Sequence, residues 1–351
     1  MTDSNFAPLV SIITPTFNHQ DYIGACIGSV LAETYPYWEQ IIFDDGSIDR
    51  TAEVIAQYKD PRIRYFHQEN QGALKLAETY NRALSLAKGE LIAILEGDDF
   101  WPPNKLATQV PAFLDAEVVL AYGEVSDVNP DGSEHGRMGL STRRRVLPRS
   151  VLFNDPVGSA TRYMLLSPER TLVGPATVII RRRALNEIGG FQYIQGLPVT
   201  DNPTFLELSL RGKFSYQQAT MGFRRHYLTS VSISYFGTIG EHTSAFALSF
   251  LGRHCDKIAL TPLQRREMEE GWQKWRYKCG FSQGRILLAR KQWGDARNCF
   301  RVAVRSKELS VCLAALVGYF FSWFHLDIEL LMRLAGRVDL REAGAKSASP
   351  A

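Results

Sequence analysis

Polar and acidic residues follow several apolar segments of the chain at the points where those segments end. Glu96-Gly97-Asp98-Asp99 comes directly after Leu91–Leu95, and Asp44-Asp45-Gly46-Ser47 comes directly after Gln40–Phe43. Carboxylate oxygens are preferred ligands of hard divalent cations, and an ionised carboxylate can accept a proton. The same residue types also build tight turns and solvated surfaces. Their position in the fold decides between these interpretations.

The segments that carry these residues alternate between short apolar runs, which predict strands, and amphipathic stretches, which predict helices. This alternation indicates an α/β fold with a Rossmann-like, mostly parallel sheet flanked by helices. Ligands bind at the carboxyl ends of such strands, so Pro15-Thr16-Phe17-Asn18 and the two acidic loops should converge on one rim. The predicted strands are Val10–Thr14, Gln40–Phe43, Ile63–His67 and Leu91–Leu95, and the predicted helices are Tyr22–Glu33, Thr51–Tyr58 and a segment with Ala73, Ala77, Tyr80 and Leu84 on one stripe.

The middle of the chain is less regular. From about Asn129 to Leu172 the periodicity fades and turn-forming residues accumulate, which predicts a long excursion over the surface. Loops of this length often cover an active site. Regular elements are predicted again as the strands Pro175–Arg181 and Phe214–Gln217, the second at a sheet edge, and as the helices Arg183–Ile188 and Thr204–Leu210.

Beyond about Gly237 the pattern becomes helical, so we place a domain boundary near Gly237–Gly240. This predicts a first domain over residues 1–237, a helical C-terminal region over 238–342 and a disordered tail over 343–351. Gly280, Gly294 and residues 306–310 separate the predicted helices. These are Leu263–Lys278, Gln283–Lys291, Trp293–Arg305 and Val311–Leu334.

The composition limits the classes of function that the chain could have. Its 351 residues are 45% hydrophobic and 22% charged, which is enough for one large domain and an appendage. A formal charge of +3 does not indicate a nucleic-acid partner. The five cysteines are scattered, and no basic segment precedes the first apolar run, so we expect a protein of the reducing cytoplasm.

The run from Val311 to Phe324 is apolar and rich in aromatic residues, but it is shorter than the 18 or so residues that span a bilayer. Core packing, a homo-oligomer contact and a peripheral contact with the inner face of the cell membrane are the alternatives for residues 311–324. Nearby basic residues would suit anionic lipid if they lay on the same side. These are Lys291, Arg297, Arg301, Arg305 and Lys307.

Five motifs occur in one order and at plausible spacing, namely VSIITPTFN, IIFDDGSIDRT, ENQG, AKGELIAILEGDDFW and GGF…VTDNPTFLELSLRGK. Together they resemble family 2 of the glycosyltransferases over about Pro8 to Ser232. The strength of the resemblance lies in the series rather than in any one motif. It implies the GT-A fold and the transfer of a sugar from a nucleotide-sugar donor.

The resemblance implies that the loop after the first strand and the aspartates after the second hold the nucleotide, because a carboxylate can accept the ring N–H of uracil or thymine. A tight turn before the helix at Thr51 is the structural alternative for the aspartates, and helix capping is the alternative for Gly72. The implied nucleotide-binding residues are Pro15, Thr16, Asn18, Asp44, Asp45, Gly72, Asn81, Glu96 and Gly97.

Glu96-Gly97-Asp98-Asp99 resembles the D-x-D element of the family, which binds a divalent cation that bridges the diphosphate of the donor. Asp98 and Asp99 are therefore the predicted ligands of Mg²⁺ or Mn²⁺. Glu96 stands where aspartate is commoner. His226 corresponds to a family position whose histidine sometimes completes the metal site, although a single histidine is ordinarily a surface or core residue. The arginines that could hold the diphosphate are Arg224 and Arg225, and also Arg143-Arg144-Arg145, for which a solvated surface is the alternative.

Asp201 matches the aspartate of the family's E-D motif after the G-G-F turn, where it acts as the general base on the acceptor hydroxyl. Thr200 replaces the more usual acid. An ionised carboxylate suits this task because it takes the proton as the oxygen attacks the anomeric carbon opposite the leaving group, with inversion of configuration. The structural alternative is that Asp201 caps the helix that begins near Pro203.

The leading hypothesis is a metal-dependent, inverting hexosyltransferase that moves a sugar from a UDP- or dTDP-linked donor to a hydroxyl. A saccharide or lipid-linked saccharide would be the acceptor, in cell-surface polysaccharide or glycolipid biosynthesis. The competing hypothesis is a non-catalytic GT-A-like scaffold that acts through its helical C-terminal region. Its only support in the sequence is the departure of Glu96 and Thr200 from the family pattern.

Overall fold

The computed structural model describes residues 6–134, 147–169, 171–227 and 230–326. The chain folds into two compact units. The functional division into a catalytic domain, 1–237, and a helical region, 238–342, stays a prediction, and the predicted tail, 343–351, lies outside the described residues. The first unit comprises Met1–Met164, Arg170–Tyr193 and Thr200–Arg225, and the second comprises Leu165–Glu169, Ile194–Val199 and His226–Ala351.

The first unit is built on one seven-stranded sheet. Its strands are β1 Val10–Thr16, β2 Trp38–Asp44, β3 Ile63–His67, β4 Leu91–Ile94, β5 Val118–Val128, β6 Ile179–Arg181 and β7 Lys213–Arg225. They lie in the order β3-β2-β1-β4-β6-β5-β7. All neighbouring pairs are parallel except those of β6, which is antiparallel to β4 and to β5. The predicted mostly parallel sheet is confirmed.

Every residue of β1, β2 and β4 is buried, because these strands are central and have both faces covered. Apolar residues of the first helix, among them Ile23, Ile27 and Val30, belong to the same core as Val10 and Ile12 of β1. The helices in this part of the chain are α1 Ile23–Leu31, α2 Thr51–Ile55, α3 Leu76–Leu86, α4 Lys105–Gln109, α5 Arg149–Phe153, α6 Ser159–Leu166, α7 Arg182–Glu187 and α8 Asp201–Leu208, with 3-10 turns at Ala73–Lys75, Val110–Leu114 and Pro175–Thr177.

Two strands differ from the sequence prediction. β5 was not predicted, because register shifts around Gly123 and Glu124 interrupt a regular alternation of apolar residues. β7 continues to Arg225 instead of ending at Gln217, because pairing with β5 sustains it through polar residues. Long-range pairing therefore fixed both elements, and a local pattern did not reveal them.

The interval between β5 and β6 also differs from the prediction. The predicted strand at Pro175 begins instead with a 3-10 turn, since proline has no N–H to donate to a sheet. The predicted surface excursion contains α5 and α6 within residues 147–169, and residues 135–146 lie outside the described part.

The second unit contains α9 Val231–Ser234, α10 Phe236–Arg253, α11 Pro262–Ala289, α12 Trp293–Ala303 and α13 Leu309–Trp323. The predicted break at Gly280 is wrong, because α11 is one continuous helix of 28 residues. A Cβ at Gly280 would lie 3.4 Å from the carbonyl oxygen of Cys299, an ordinary contact distance, so this glycine packs against α12. Among the helices that the structure describes, none has the length and apolar character that crossing a membrane requires.

Three helices of the second unit meet around the buried ring of Phe300 on α12. A Cβ at Gly284 of α11 would lie 2.7 Å from this ring, and one at Gly318 of α13 would lie 2.5 Å from it. Contacts this short do not occur between real side chains, so the two glycines set the distance between these helices.

We expect Gly318→Ala to destabilise the chain, because the new methyl group would overlap the Phe300 ring. Gly294→Ala is the matched control, since it is also a helical glycine and its added Cβ would meet nothing within 4 Å. The free energy of unfolding of Gly318→Ala should lie about 1–3 kcal/mol below that of the control. Denaturant unfolding followed by circular dichroism measures this difference, and equal stabilities would show that the ring moves aside without cost.

Candidate active site

The three predicted loops lie side by side at the carboxyl edge of the sheet. The backbone N–H of Asp45 donates to the carbonyl oxygen of Thr16 at 2.9 Å, and that of Gly97 donates to Pro15 at 3.0 Å. The loop after β1 therefore lies between the loops after β2 and β4, as the strand order requires. A Cβ at Gly97 would lie 2.6 Å from the Thr16 hydroxyl oxygen, so a larger residue would separate the loops.

Asn18 fixes the first loop to the second. Its backbone is left-handed, with φ 54°, a conformation that asparagine tolerates better than most residues. Its Oδ1 accepts a hydrogen bond from the N–H of Ile48 at 2.9 Å, and its own N–H donates to the hydroxyl oxygen of Ser47 at 2.8 Å. Asn18 therefore positions the loops, and its contact with a nucleotide stays a prediction.

The two aspartates after β2 have different surroundings. Asp44 is fully buried; its Oδ1 accepts from the N–H and hydroxyl of Ser47 at 2.9 and 2.6 Å, and its Oδ2 accepts from the Tyr65 hydroxyl at 2.8 Å. Asp45 is half-buried, and its Oδ1 accepts from the N–H of Gln71 at 3.0 Å and from the amide of Gln68. Within the described residues nothing donates to Asp45 Oδ2. Asp44 thus completes a turn, whereas Asp45 keeps an oxygen for a ligand.

Gly46 lets the second loop pack closely on the segment before α3. Its φ is +79°, and a Cβ there would lie 2.6 Å from the backbone nitrogen of Asn70. The Asn70 side chain donates to the carbonyl oxygen of Asp45 at 2.9 Å. Gly72 also has a positive φ, of 80°, and immediately precedes the 3-10 turn. A turn role therefore accounts for Gly72, and its contact with a nucleotide stays a prediction.

Asn81 connects α3 to the turn that precedes α8 in the chain. Its side-chain amide donates to the carbonyl oxygen of Phe191 at 2.8 Å, and the N–H of Phe191 donates back to its Oδ1 at 2.8 Å. The Phe191 ring contacts that of Tyr80, with centroids 4.9 Å apart. Tyr80 is buried and donates from its hydroxyl to Glu96 Oε1 at 2.8 Å. Asn81 thus helps to position the loop after β4 indirectly, through Phe191 and Tyr80. Its direct role in nucleotide binding stays a prediction.

Glu96, Asp98 and Asp99 form an acidic group in which one oxygen of each residue lies within 4.8 Å of the others. Burial, together with the neighbouring charge of Asp98, raises the pKa of Glu96 to about 7. The same causes raise the pKa of Asp99 well above its usual range, and this residue is only 2% exposed. Carboxylates held this close repel one another, and a cation among them would relieve the repulsion.

The end of β7 supports the acidic group. The backbone N–H of Arg225 donates to Asp99 Oδ1 at 3.0 Å, and its guanidinium donates to the carbonyl oxygen of Asp98. This guanidinium also lies 4.8 Å from the centre of the Phe100 ring. Arg224 pairs with Asp127 at 2.9 Å, and its charge lowers the pKa values of Glu96 and Asp99. The sequence suggested diphosphate contacts for both arginines but not this supporting role, since no local pattern pairs β7 with the loop after β4.

Asp201 is the first residue of α8, and Thr200 occupies the N-cap position without a side-chain capping bond. Asp201 is therefore not the N-cap residue, although its carboxylate accepts from the first backbone N–H groups of the helix. Burial raises the pKa of Asp201, although the N–H of Asn202 and the charge of Arg224 partly oppose that rise. The charge of Asp201 in turn raises the pKa of Glu96. Asp201 is thus near enough to the acidic group for its charge to affect Glu96.

His226 follows β7 directly and is the first residue of the last segment of the second unit, His226–Ala351. The acidic group described above consists of first-unit residues only. A histidine ligand at His226 therefore stays a prediction.

The sheet, with loops at the carboxyl ends of its parallel strands and an acidic group among them, defines a GT-A fold. Its architecture is similar to that of S. aureus TarS, residues 1–349, in a crystal structure with UDP-GlcNAc. The TM-score is 0.56 at 16% identity, over 94% of this chain and 92% of that one. The predicted fold class is confirmed.

Residues 11–189, about half of the chain, match the family model described as Glycosyl transferase family 2. The chain belongs to this family, and the resemblance inferred from its motifs is confirmed at that level.

Two curated relatives each resemble about half of the chain. TuaG of Bacillus subtilis (strain 168), named for teichuronic acid biosynthesis, is 32% identical over 53% of this chain and 67% of its own length. The second is WfgD of Escherichia coli, named UDP-Glc:alpha-D-GlcNAc-diphosphoundecaprenol beta-1,3-glucosyltransferase. It is 34% identical over 48% of this chain and 62% of its own length. The chain thus spans about two thirds of each relative.

We expect Asp44→Asn to lower the free energy of unfolding by about 1–3 kcal/mol, because the amide nitrogen that replaces one carboxylate oxygen cannot accept the bond that Ser47 or Tyr65 donates to that oxygen. Asp45→Asn is the matched control, since its Oδ1 can keep both acceptor contacts. It should change stability by less than about 0.5 kcal/mol. Thermal and denaturant unfolding measure both values, and equal losses would contradict the division of roles.

Proposed function

We propose that the chain is an inverting glycosyltransferase that uses a UDP- or dTDP-linked sugar, a divalent cation and an acceptor hydroxyl. The observation that carries the proposal is the proximity of Asp201 to the group of Glu96, Asp98 and Asp99. A direct displacement needs a base and a stabilised leaving group on opposite sides of one sugar carbon. Asp201 supplies the first requirement, and the acidic group supplies the second through its cation.

The nucleotide lies against the loops after β1 and β2. Asp45 Oδ2 accepts the ring N–H of uracil or thymine, while Asp44 stays within its turn. Cytosine has no hydrogen on the equivalent ring nitrogen, so this contact discriminates against it. The residue that the structural contacts favour for recognition of the base is therefore Asp45.

The acidic group fits Mg²⁺ or Mn²⁺, because these hard cations prefer carboxylate oxygens and this group offers one from each of three residues. Asp98 and Asp99 would hold the cation, and Glu96, with one oxygen engaged by Tyr80, would be the third acidic residue of the site. When bound, the cation neutralises the charge that develops on the nucleoside diphosphate as it leaves. Arg225 holds the loop after β4 in place through its hydrogen bonds to Asp98 and Asp99.

Asp201 takes the proton of the acceptor hydroxyl as that oxygen forms a bond to the anomeric carbon. The bond from the anomeric carbon to the diphosphate oxygen breaks at the same time, so the sugar is transferred with inversion. Burial raises the pKa of Asp201, which makes its carboxylate a stronger base than an exposed aspartate. Asn81, Phe191 and Tyr80 keep the turn before α8 next to the acidic loop.

A saccharide, carried on a lipid diphosphate, is the acceptor class that the relatives support. WfgD is named for a diphosphoundecaprenol substrate, and TuaG is named for teichuronic acid biosynthesis. The proposed role is a step of cell-surface polysaccharide assembly on the cytoplasmic side of the membrane. The match to the family model covers the part of the chain that holds the acidic group.

We expect Asp98→Ala to weaken Mn²⁺-dependent binding of UDP or dTDP by about tenfold or more, because the substitution removes one carboxylate from the cation. Calorimetric titration of UDP, dTDP and GDP with Mn²⁺ or with EDTA measures this loss. Asp256→Ala, which removes an exposed acid from the second unit, is the control. If wild type bound UDP equally well with Mn²⁺ and with EDTA, the cation site would be contradicted. If wild type bound none of the nucleotides, the hypothesis of a non-catalytic scaffold would be favoured.

We expect Asp201→Asn to keep metal-dependent donor binding but to lower kcat for sugar transfer by about two orders of magnitude or more, because asparagine cannot take the hydroxyl proton. Donor affinity is measured by calorimetry, and transfer is measured with saccharides on lipid diphosphate acceptors. Unchanged turnover would show that another group is the base.

The pH profile provides a control for the same variant. The carboxylate must be ionised to act, so wild-type kcat/KM is lost as the pH falls through the raised pKa of Asp201. The residual activity of Asp201→Asn should lack the limb that belongs to this group. Persistence of the whole acid limb in the variant would assign it to other residues.

A further inference from the structure

One side of α13 is apolar and exposed along its whole length. Its large exposed side chains recur at intervals of three and four residues, so they lie on a single face of the helix. The exposed fraction is 70% at Leu309, 58% at Phe320 and 58% at Trp323. We call this surface the α13 face; it consists of Leu309, Leu313, Leu316, Val317, Phe320, Trp323 and Phe324.

The opposite side of α13 holds the helix in its unit. Ala315, Gly318 and Ser322 are buried there, and Gly318 lies against the Phe300 ring of α12. The α13 face is therefore not needed for packing against the described helices. A contiguous apolar surface of this kind is uncommon on soluble proteins and marks a site of interaction.

A row of arginines on α12 and just beyond its end borders the α13 face. The Arg297 guanidinium lies 4.0 Å from the centre of the exposed Trp323 ring. Arg301 is exposed and follows Arg297 by four residues, so it lies on the same side of α12. Arg305 is also exposed and lies two residues after the last residue of this helix, Ala303. At this end of α12 the Cys312 thiol of α13 donates to the carbonyl oxygen of Val304 at 3.1 Å, which holds the two helices together.

Among the residues that the structure describes, the acidic side chains nearest in sequence do not neutralise this row. Glu308 pairs with Lys274 and Lys278 of α11, at 2.5 and 3.6 Å. Asp295 lies two residues before Arg297, which places it on the other side of α12. The sequence of α13 itself contains no charged residue. The surface is thus an apolar strip with a basic border.

We propose that the α13 face and its arginine border are a docking surface for an anionic lipid bilayer. The helix lies parallel to the membrane, its apolar side chains enter the boundary between headgroups and acyl chains, and Arg297, Arg301 and Arg305 contact lipid phosphates. Trp323 is suited to this depth because its ring is apolar and its N–H is polar. The proposal is independent of the acceptor and of turnover, since docking needs neither.

The charge pattern favours a membrane over a second copy of the chain. A protein partner would need acidic residues opposite the arginine row, and α13 offers none to its own copy. Anionic lipid supplies both an apolar layer and phosphates at adjacent depths, which matches the apolar strip and its basic border. The observations therefore favour a bilayer rather than an isologous dimer.

Vesicle flotation of the full chain tests the proposal, with vesicles of phosphatidylcholine alone or with phosphatidylglycerol added. Wild type should bind the anionic vesicles, and binding should weaken at high salt. Phe320→Glu should reduce partitioning by about tenfold or more, because it places a charge among the acyl chains. Leu263→Glu, at a leucine that is 66% exposed on α11, should bind like wild type.

The double variant Arg301→Glu/Arg305→Glu provides a second test and should also bind at least about tenfold more weakly. Arg265→Glu on α11 is its matched control. Absence of wild-type binding to anionic vesicles, or equal binding of Phe320→Glu, would overturn the proposal. If light scattering shows a dimer that Phe320→Glu dissociates, and wild type ignores vesicles, a second copy covers the face instead. If a monomeric wild type ignores vesicles and Phe320→Glu unfolds more easily, residues 327–351 cover it.

Discussion

The repulsion among three closely spaced carboxylates is the constraint on which the first unit depends. Glu96, Asp98 and Asp99 lie close together after β4, and burial together with the charge of Asp98 raises the pKa values of Glu96 and Asp99. The surrounding groups stabilise these carboxylates in different ways. Tyr80 donates to Glu96, the backbone of Arg225 donates to Asp99, and Arg224 adds a positive charge. The elements that carry these groups, α3 and β7, are therefore part of the site.

The sequence predicted the half of the sheet that contains β1, β2, β3 and β4, because each of these strands is a short apolar run between turn-forming residues. It did not predict β5, and it ended β7 early, because pairing between those two distant segments maintains them. It also broke α11 at Gly280, which lies inside one continuous helix and packs against α12, so tertiary contacts outweigh the low helix propensity of glycine. The local sequence pattern therefore identified the strands that are short apolar runs. It missed the elements that are maintained by pairing or packing with a distant segment of the chain.

The candidate site shows the same division between local and long-range information. Motif order was sufficient to bring Asp45, Glu96, Asp98, Asp99 and Asp201 to one rim. Motif order could not separate Asp44 from Asp45, since adjacent identical residues have the same local signal. The contacts of Ser47 and of the Tyr65 hydroxyl, from β3, show that Asp44 is the aspartate committed to the turn. The positioning role of Asn81 was likewise invisible, because its partner Phe191 lies far along the chain.

The second unit takes two short segments, Leu165–Glu169 and Ile194–Val199, from within the sequence of the first. The indole N–H of Trp272 on α11 donates to the carbonyl oxygen of Leu165 at 2.8 Å, across a separation of 107 residues. Lys278 pairs with Glu169 at 2.9 Å. On the ribosome these early segments emerge well before the helices that receive them, so the helical unit cannot be completed until α11 is made. A cut after Arg225 would leave the helical fragment without these two segments. The helical region therefore cannot be exchanged between relatives as a simple C-terminal module, and recombination would have to carry both units together.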